Sequence, residues 1–173
     1  AGLQLLDNYV QLEDPRLVER PNPVQREVWV RAKLPVLDTT SSSSGTEQDA
    51  ENTFLVRGIV DRLDMVKHED GSVVMRLVDY KSGKAPNFKY SAAMNAKIAE
   101  ESFFQLKIYA LLLAKSAASN SGPLKNTSMD LRVLRLLHLT SHGEGPAQYL
   151  DYDLGASAEE RTGLLDEVEL SLQ

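Results

Sequence analysis

The alternation of apolar and polar residues is clearest over residues 27–34. The apolar side chains there are Val28, Val30, Ala32 and Leu34, and the positions between them are Glu27, Trp29, Arg31 and Lys33. A period of two is typical of a strand with one buried face. Segments 54–65 and 72–81 are rich in Val, Ile and Leu and flank the turn-forming residues 68–71. They predict a β-hairpin.

Helical spacing of apolar residues occurs in three places. A short amphipathic helix is predicted over residues 3–12, and a strongly apolar helix over 98–115, after an irregular segment at 82–95. A third helix begins at Ser157, because Ser157 and Glu160 have the spacing of a capping box. The stripe of the first helix is Leu3, Leu6 and Val10, and that of the third is Leu164, Leu165, Val168 and Leu172.

Two further strands, at 131–139 and 148–154, complete the predicted order of helix, three strands, helix, two strands, helix. Such an order is typical of an α+β fold with a mixed sheet flanked by helices. Residues 38–52 contain four consecutive Ser and few apolar side chains, so we expect a flexible loop inside a single domain spanning 1–173.

Composition narrows the class of protein. A chain of 173 residues suits one domain, and the lack of Cys excludes disulfides, Cys-based metal sites and a thiol nucleophile. The lack of Cys also fits an intracellular protein. The longest apolar run, 108–114, is far shorter than a membrane span, so no membrane partner is expected. The chain opens with Ala1 rather than Met, and we expect it to be a fragment of a longer protein.

Charge is distributed unevenly around a net value of −6. Between residues 81 and 125 the chain has seven Lys against two Glu, which leaves a local charge of +5. A basic strip on an acidic body can bind phosphate groups locally. Three of these side chains, Lys84, Lys89 and Lys107, are predicted contacts to DNA.

Charged residues end two strands that are otherwise apolar. Asp61 follows one of them, and Asp79 and Lys81 share a face of the next. Two carboxylates and one amine suit hydrolysis of a phosphodiester, because carboxylate oxygens hold Mg²⁺ or Mn²⁺ and the amine can orient or deprotonate the attacking water. An ordinary salt bridge between Asp79 and Lys81 is the alternative interpretation.

Three motifs occur together around these residues. They are Gly58-Ile-Val-Asp-Arg-Leu-Asp64, Val78-Asp-Tyr-Lys-Ser-Gly-Lys-Ala-Pro86 and Gln105-Leu-Lys-Ile-Tyr109. In this order they closely resemble the RecB-like branch of the PD-(D/E)XK nuclease superfamily, and most closely the RecB family exonucleases. The resemblance extends up to about Leu154 and implies a restriction-endonuclease-like core.

The resemblance also implies roles for single residues. It makes Asp61, Asp79 and the backbone carbonyl of Tyr80 metal ligands, and Lys81 the catalytic lysine. Glu27 matches an acidic position that precedes these motifs in the family and is a further metal-ligand candidate. Gln105 and Tyr109, at i and i+4, share a helix face and would contact the substrate or the active site; the alternative is a buried polar pair. Arg62 and Asp64 are expected to form a structural ion pair.

Three hypotheses follow. The first is a Mg²⁺- or Mn²⁺-dependent deoxyribonuclease, an exonuclease by family resemblance, that acts on DNA ends in repair or recombination with a helicase domain or subunit as partner. The second is a non-cleaving DNA- or helicase-binding module with the same fold. The third is a structural α+β domain in which Asp79-Tyr-Lys81 occurs by chance, and metal binding would separate it from the first.

The family carries a His on a helix upstream of the motifs, and no His precedes His68 here. A zinc site at His68, His138 or His142 is disfavoured by their spacing.

The hairpin between Asp61 and Asp79 supplies a geometric test. A two-residue turn at Asp70 and Gly71 would pair Asp61 with Tyr80 and turn it away from Asp79. A loop of three or five residues centred on Asp70 would pair the two carboxylates. We therefore predict such a loop.

Overall fold

The computed structural model describes residues 2–14, 16, 22–36, 53–118, 130–140 and 147–173. The elements within these ranges are α1 (Gly2–Leu12), β1 (Asn22–Pro35), β2 (Thr53–Lys67), β3 (Val73–Lys84), α2 (Ala92–Ala118), β4 (Leu131–Thr140), β5 (Gln148–Asp153) and α3 (Ala158–Ser171). Their order confirms the predicted α+β fold. The predicted loop at 38–52 lies outside the described residues.

The five strands form one mixed sheet in the order β1-β2-β3-β4-β5. β3 and β4 are parallel, and the other neighbouring strands are antiparallel. Parallel neighbours require a long crossover connection, which α2 provides. The crossover places α2 against the sheet, where it packs mainly on β1 and on α3.

The alternation predicted for β1 is confirmed. Val28, Val30 and Leu34 are buried, whereas Trp29 and the charged residues between them are exposed. Because α2 packs on the buried side of β1, the apolar positions of this strand mark the face of the sheet that forms the core.

A five-residue loop, 68–72, joins β2 to β3 and is centred on Asp70, as predicted. The main-chain amide of His68 donates to the carbonyl of Ser72 over 2.8 Å, and Asp70 Oδ1 accepts the amide of Ser72 over 2.9 Å. Gly71 has a φ of 85°, a left-handed conformation that favours glycine. These constraints fix the register of the hairpin.

α2 is longer than the predicted helix. The irregular segment expected at 82–95 is shorter, since β3 continues to Lys84 and α2 begins at Ala92. Ser91 precedes the helix, and its Oγ accepts the amide of Met94 over 3.4 Å. No residue of α2 before Phe103 is buried. The first turns therefore lack the apolar stripe from which a packed helix can be predicted.

α1 is confirmed as a helix, although its stripe of Leu3, Leu6 and Val10 is exposed. Its contact with the sheet comes from a different side, where Asn8 Nδ2 donates to the carbonyl of Leu139 over 2.6 Å and Tyr9 packs edge-on against Tyr80. α1 therefore docks through polar and aromatic groups on β3 and β4.

α3 begins with the predicted capping box. Ser157 Oγ accepts the amide of Glu160 over 3.1 Å, and the Glu160 carboxylate accepts the amide of Ser157 over 3.0 Å. Val168 of α3 packs with Leu34 and Leu111 in a second small core. Among the described residues, the model contains no helix that meets the length and hydropathy of a membrane span.

Candidate active site

Asp61 and Asp79 lie side by side on β2 and β3. The ladder of the hairpin places Arg62 opposite Val78, so the next residues along the two strands are Asp61 and Asp79. Each is two residues from a core leucine, Leu63 or Leu77, and the period of two puts both carboxylates on the α2 side of the sheet. Both carboxylates therefore lie on the same side of the sheet, which a metal ion shared between them would require.

The main chain of Tyr80 ties the two strands together at this point. Its amide donates a hydrogen bond to Asp61 Oδ2 over 2.9 Å. The adjacent carbonyl of Tyr80, the third predicted metal ligand, belongs to the same short stretch of β3. The hydrogen bond fixes one carboxylate oxygen of Asp61 beside the strand that carries Asp79.

Glu27 occupies an irregular position next to Asp61. On either side of it, Arg26 pairs with Arg62 and Val28 with Val60, so Glu27 stands opposite Asp61 in the ladder. Its φ of 51° is left-handed. For a residue other than glycine this conformation costs on the order of 1–3 kcal/mol, and such strained residues cluster at functional sites. Its side chain is exposed.

The strand alternation changes phase at the same level of the sheet. Val60 and Leu63 both belong to the main core, although they are three positions apart and strict alternation would place them on opposite sides of the sheet. One residue of β2 between them must depart from simple alternation, although the pairing with β1 keeps one register from Arg62 to Val60. This irregularity allows Asp61 to share the α2 side of the sheet with the core residue that precedes it.

A chain of polar contacts runs from Asp79 to α2. Lys81 Nζ lies 2.7 Å from Asp79 Oδ2 and donates to Gln105 Oε1 over 3.0 Å. Gln105 Nε2 in turn donates to Tyr109 Oη over 2.8 Å. The structure thus brings Gln105 and Tyr109 to the same cluster as the carboxylates, and because Gln105 is exposed the two do not form the alternative buried polar pair.

Gly58 makes room for the last member of this chain. A Cβ atom built on Gly58 would lie 3.1 Å from Cζ and 3.2 Å from Cδ1 of Tyr109, and closer still to Cε1. Any larger side chain at Gly58 would therefore displace the Tyr109 ring. This is a physical reason for the glycine of the Gly-x-x-Asp motif.

The electrostatic state of Asp79 favours a cation. Burial raises the pKa of Asp79, the hydrogen bond and charge of Lys81 lower it, and the charge of Asp61 raises it again, with a net increase. Asp79 is only 7% exposed, and its Oδ2 lies 2.7 Å from the Lys81 ammonium. A buried carboxylate that neighbours a second carboxylate and keeps lone pairs beyond its ion pair fits a hard divalent cation.

The donor set is incomplete on side chains alone. The described ranges contain no group of three or more His, Asp or Glu side chains that could hold a metal ion. Backbone carbonyl, water and substrate oxygens would have to complete the coordination of a metal held by Asp61 and Asp79, as is common for Mg²⁺.

A buried ion network lies on the side of the sheet opposite α2. Arg62, which is almost fully buried, forms an ion pair with Asp64 over 2.9 Å, as predicted, and another with Glu13 at the end of α1 over 2.7 Å. Arg76 also contacts Asp64 at 2.9 Å, and Arg62 Nη1 donates to Tyr80 Oη over 2.6 Å. The network therefore connects α1 to the side chain of Tyr80, whose backbone faces Asp61.

His138 is a residue near the site that the sequence interpretation did not assign to it. β4 places His138 beside Lys81 in parallel register, and its Nδ1 lies 3.2 Å from the carbonyl of Gly83. Burial, the largest cause, and the charge of Lys81 lower the pKa of His138, while the Gly83 carbonyl and Asp79 raise it, with a net decrease. Among the described residues its buried Nε2 has no hydrogen-bond partner. Only the parallel pairing of β4 with β3, which sequence does not reveal, brings it here.

The predicted basic strip is largely neutralised. Lys107 is 2% exposed, its Nζ lies 2.5 Å from Glu100 Oε2, and it stacks over the ring of Tyr152 at 4.3 Å. This placement corrects the expectation that Lys107 contacts DNA, because its charge is already enclosed. Lys84 and Lys89 are exposed and form no ion pair within the described part of the chain.

Other candidates lie away from the cluster. His68 is in the β2–β3 loop, 3.4 Å from Asp153, and His142 falls outside the described residues. The remaining strip lysines within the described ranges pair with acids, Lys97 with Glu101 at 3.9 Å and Lys115 with Glu169 at 2.6 Å.

Comparison with known families agrees with this geometry. The family model of the PD-(D/E)XK nuclease superfamily matches residues 3–168, and the chain belongs to that superfamily. Its members are generally phosphodiester-cleaving nucleases that use divalent metal ions. No curated protein matches the chain.

Proposed function

We propose that this protein is a Mg²⁺- or Mn²⁺-dependent deoxyribonuclease of the RecB-like branch, with exonuclease action in DNA repair or recombination. The single observation that supports it best is the juxtaposition of Asp61, Asp79 and Lys81 at neighbouring strand positions. Membership of the superfamily supports the general class of activity, and the motifs quoted above support the branch.

The metal ion would be held by Asp61, Asp79, the carbonyl of Tyr80 and Glu27. When bound, the ion would activate water and offset the charge that develops on the scissile phosphate. Asp61 is held for this role by the Tyr80 amide, and Asp79 by its burial beside Lys81. Because one oxygen of each carboxylate is already positioned, little ordering remains to be done when a cation arrives.

Lys81 would orient the attacking water. Its ammonium is shared between Asp79 and Gln105, so it has a fixed direction and still keeps a third donor position for water or a phosphate oxygen. Tyr109 holds the amide of Gln105 and thereby the acceptor that Lys81 uses. Gln105 is exposed, so the substrate strand can approach this end of the chain of contacts.

Lys84 and Lys89 would contact DNA phosphates near the site. Both are exposed and follow Lys81 at the end of β3 and in the segment before α2. A helicase domain or subunit is the proposed partner that would supply DNA ends.

The test is cleavage of end-labelled linear single- and double-stranded DNA with Mg²⁺, Mn²⁺ or EDTA. We expect metal-dependent loss of label, abolished in Asp79→Ala and Lys81→Ala, and the order of products would give the polarity. DNA binding by a folded parent protein without cleavage under either metal would contradict the nuclease and favour the non-cleaving module.

A further inference from the structure

Among the residues that the structure describes, none covers one side of the sheet at β1 and β2. On the side opposite α2, the two strands present three cross-strand pairs, which we call the outer β1–β2 face. The pairs are Trp29 with Ile59, Arg31 with Arg57, and Lys33 with Leu55. All six side chains are exposed, and the exposed fraction is 66% for Trp29, 59% for Leu55 and 40% for Ile59.

No described helix packs on this face. α2 and α3 lie against the other side of the sheet, and α1 docks further along, on Tyr80 and β4. An aromatic ring and two large aliphatic side chains in contact with water are unfavourable unless a partner covers them. The exposed apolar and basic side chains lie in three successive cross-strand pairs, so the face is a continuous surface rather than a set of scattered exposed residues.

The charges on this face are uncompensated. Arg31 and Arg57 stand directly opposite each other, and like charges at such positions destabilise a sheet. Within the described residues, none of Arg31, Arg57 and Lys33 forms an ion pair. Since the net charge of the chain is −6, the chain without these three cations carries −9. A concentration of positive charge on an acidic protein calls for an anionic partner.

We propose that the outer β1–β2 face binds a single-stranded nucleic-acid segment, with a base stacked on Trp29 and phosphates held by Arg31, Arg57 and Lys33. Sequence-independent binding of single strands combines aromatic stacking with a basic track. A duplex offers its phosphates but no free base face, so it would use only the cations. A second copy of this chain is disfavoured because a symmetric contact would oppose the same three cations.

The face adjoins the candidate active site along the strands. The Trp29–Ile59 pair forms the end of the array nearest to Asp61, two residues further along β2, although the carboxylates lie on the opposite side of the sheet. A single-stranded segment bound here would extend the contact between protein and substrate around the edge of the sheet formed by β1. The choice of DNA for the bound strand rests on the proposed function, whereas the binding itself does not require cleavage.

Trp29 is the only Trp in the chain, so its intrinsic fluorescence reports on this face directly. The experiment is a titration of the whole chain with an oligothymidylate of about 12 nucleotides in EDTA, at several salt concentrations. We expect salt-sensitive quenching of Trp29 fluorescence by the oligothymidylate, and less quenching by a duplex of matched length.

Arg57→Ala should weaken binding about fivefold or more. Trp29→Ala should weaken it about five- to hundredfold, and because this variant lacks the fluorophore its affinity is measured by the anisotropy of a labelled oligonucleotide.

Lys67→Ala is the matched control, an exposed cation at the far end of β2 that should leave affinity unchanged. Thermal unfolding of Arg57→Ala should show equal or higher stability, since the substitution removes a like-charge pair. Absence of quenching, or unchanged affinity in both Trp29→Ala and Arg57→Ala, would overturn the inference even if cleavage is intact. Quenching without any metal-dependent cleavage would support the inference and contradict the proposed function instead.

Discussion

Lys81 on β3 donates a hydrogen bond to Gln105 on α2 over 3.0 Å. The contact joins the sheet to the crossover helix at the point where Asp79 also meets the ammonium. It gives Lys81 a direction that a surface lysine would lack, because both of its partners lie on fixed elements.

Gln105→Ala should slow DNA cleavage on the order of 10- to 100-fold, because supporting contacts to a site typically have that effect. Folding should be unaffected, since the side chain is exposed. Single-turnover cleavage rates and thermal unfolding would measure the two effects. Glu101→Ala, one helical turn earlier on the exposed side of α2, is the matched control and should cleave normally. Equal losses in both variants would contradict a positioning role for Gln105.

Gly58→Ala should lower both stability and cleavage, because the new methyl group would overlap the ring of Tyr109. Overpacking of this kind costs about 1–3 kcal/mol. Gly163→Ala is a control with the same chemical change, since its Cβ would meet no atom within 4 Å and it lies inside α3. It should raise stability by about 0.5–1 kcal/mol. Chemical denaturation and DNA cleavage rates of both variants measure these effects. A Gly58→Ala protein as stable and active as the parent would contradict the packing argument.

The ion network beneath Tyr80 predicts a dependence of stability on acid. Burial would raise the pKa of Glu13, but the hydrogen bonds and charge of Arg62 outweigh it and lower that pKa below the usual value of 4.5. The stabilisation by Glu13 is therefore complete above that pH and is lost as pH falls through the lower pKa of the folded state. Urea unfolding between pH 3 and 7, at about unit steps, should show this loss in the parent and less of it in Glu13→Gln.

Removal of Arg62 should be more severe than removal of Glu13. Arg62→Ala would leave Glu13 buried without its cation and Asp64 with Arg76 alone, at a cost of about 3–5 kcal/mol. The same denaturation experiment measures it at neutral pH. A loss below about 1 kcal/mol would mean that the network adds no more than an exposed pair does.

The lysines near the site should differ in their contribution to DNA binding. Lys84→Ala and Lys89→Ala should each reduce the salt dependence of log affinity by about one, the effect of one phosphate contact. Lys107→Met should leave that slope unchanged, because its ammonium is enclosed by Glu100 and Tyr152. Anisotropy titrations in EDTA over a range of salt would measure all three slopes. A reduced slope for Lys107→Met would contradict the placement of that side chain.

The pairing of Asp61 with Asp79 could be predicted from sequence, because a metal ion shared by the two carboxylates requires a hairpin loop of odd length centred on Asp70. The capping box of Ser157 and the alternation of β1 were equally readable, since each depends on residues close in sequence. These local rules also identified Trp29 as exposed, although they gave no reason for its exposure.

Long-range placement could not be predicted in the same way. Lys107 lies in a helix that is buried on several sides, and its partner Tyr152 comes from β5, far away in sequence. His138 reaches the site only through the parallel pairing of β4 with β3. The polar docking side of α1 depends on Arg62, and the exposed apolar stripe of that helix gave no indication of it.

The most direct test of the central claim is to measure Mn²⁺ binding and DNA cleavage on the same samples of the parent, Asp79→Asn and Lys81→Met. Asp79 is a proposed metal ligand and Lys81 is not, so the two variants should fail differently. We predict that Lys81→Met binds Mn²⁺ but loses cleavage at least on the order of a hundredfold, whereas Asp79→Asn loses both. Cleavage by a folded Lys81→Met protein at the rate of the parent, or unchanged Mn²⁺ affinity in Asp79→Asn, would contradict the proposed active site.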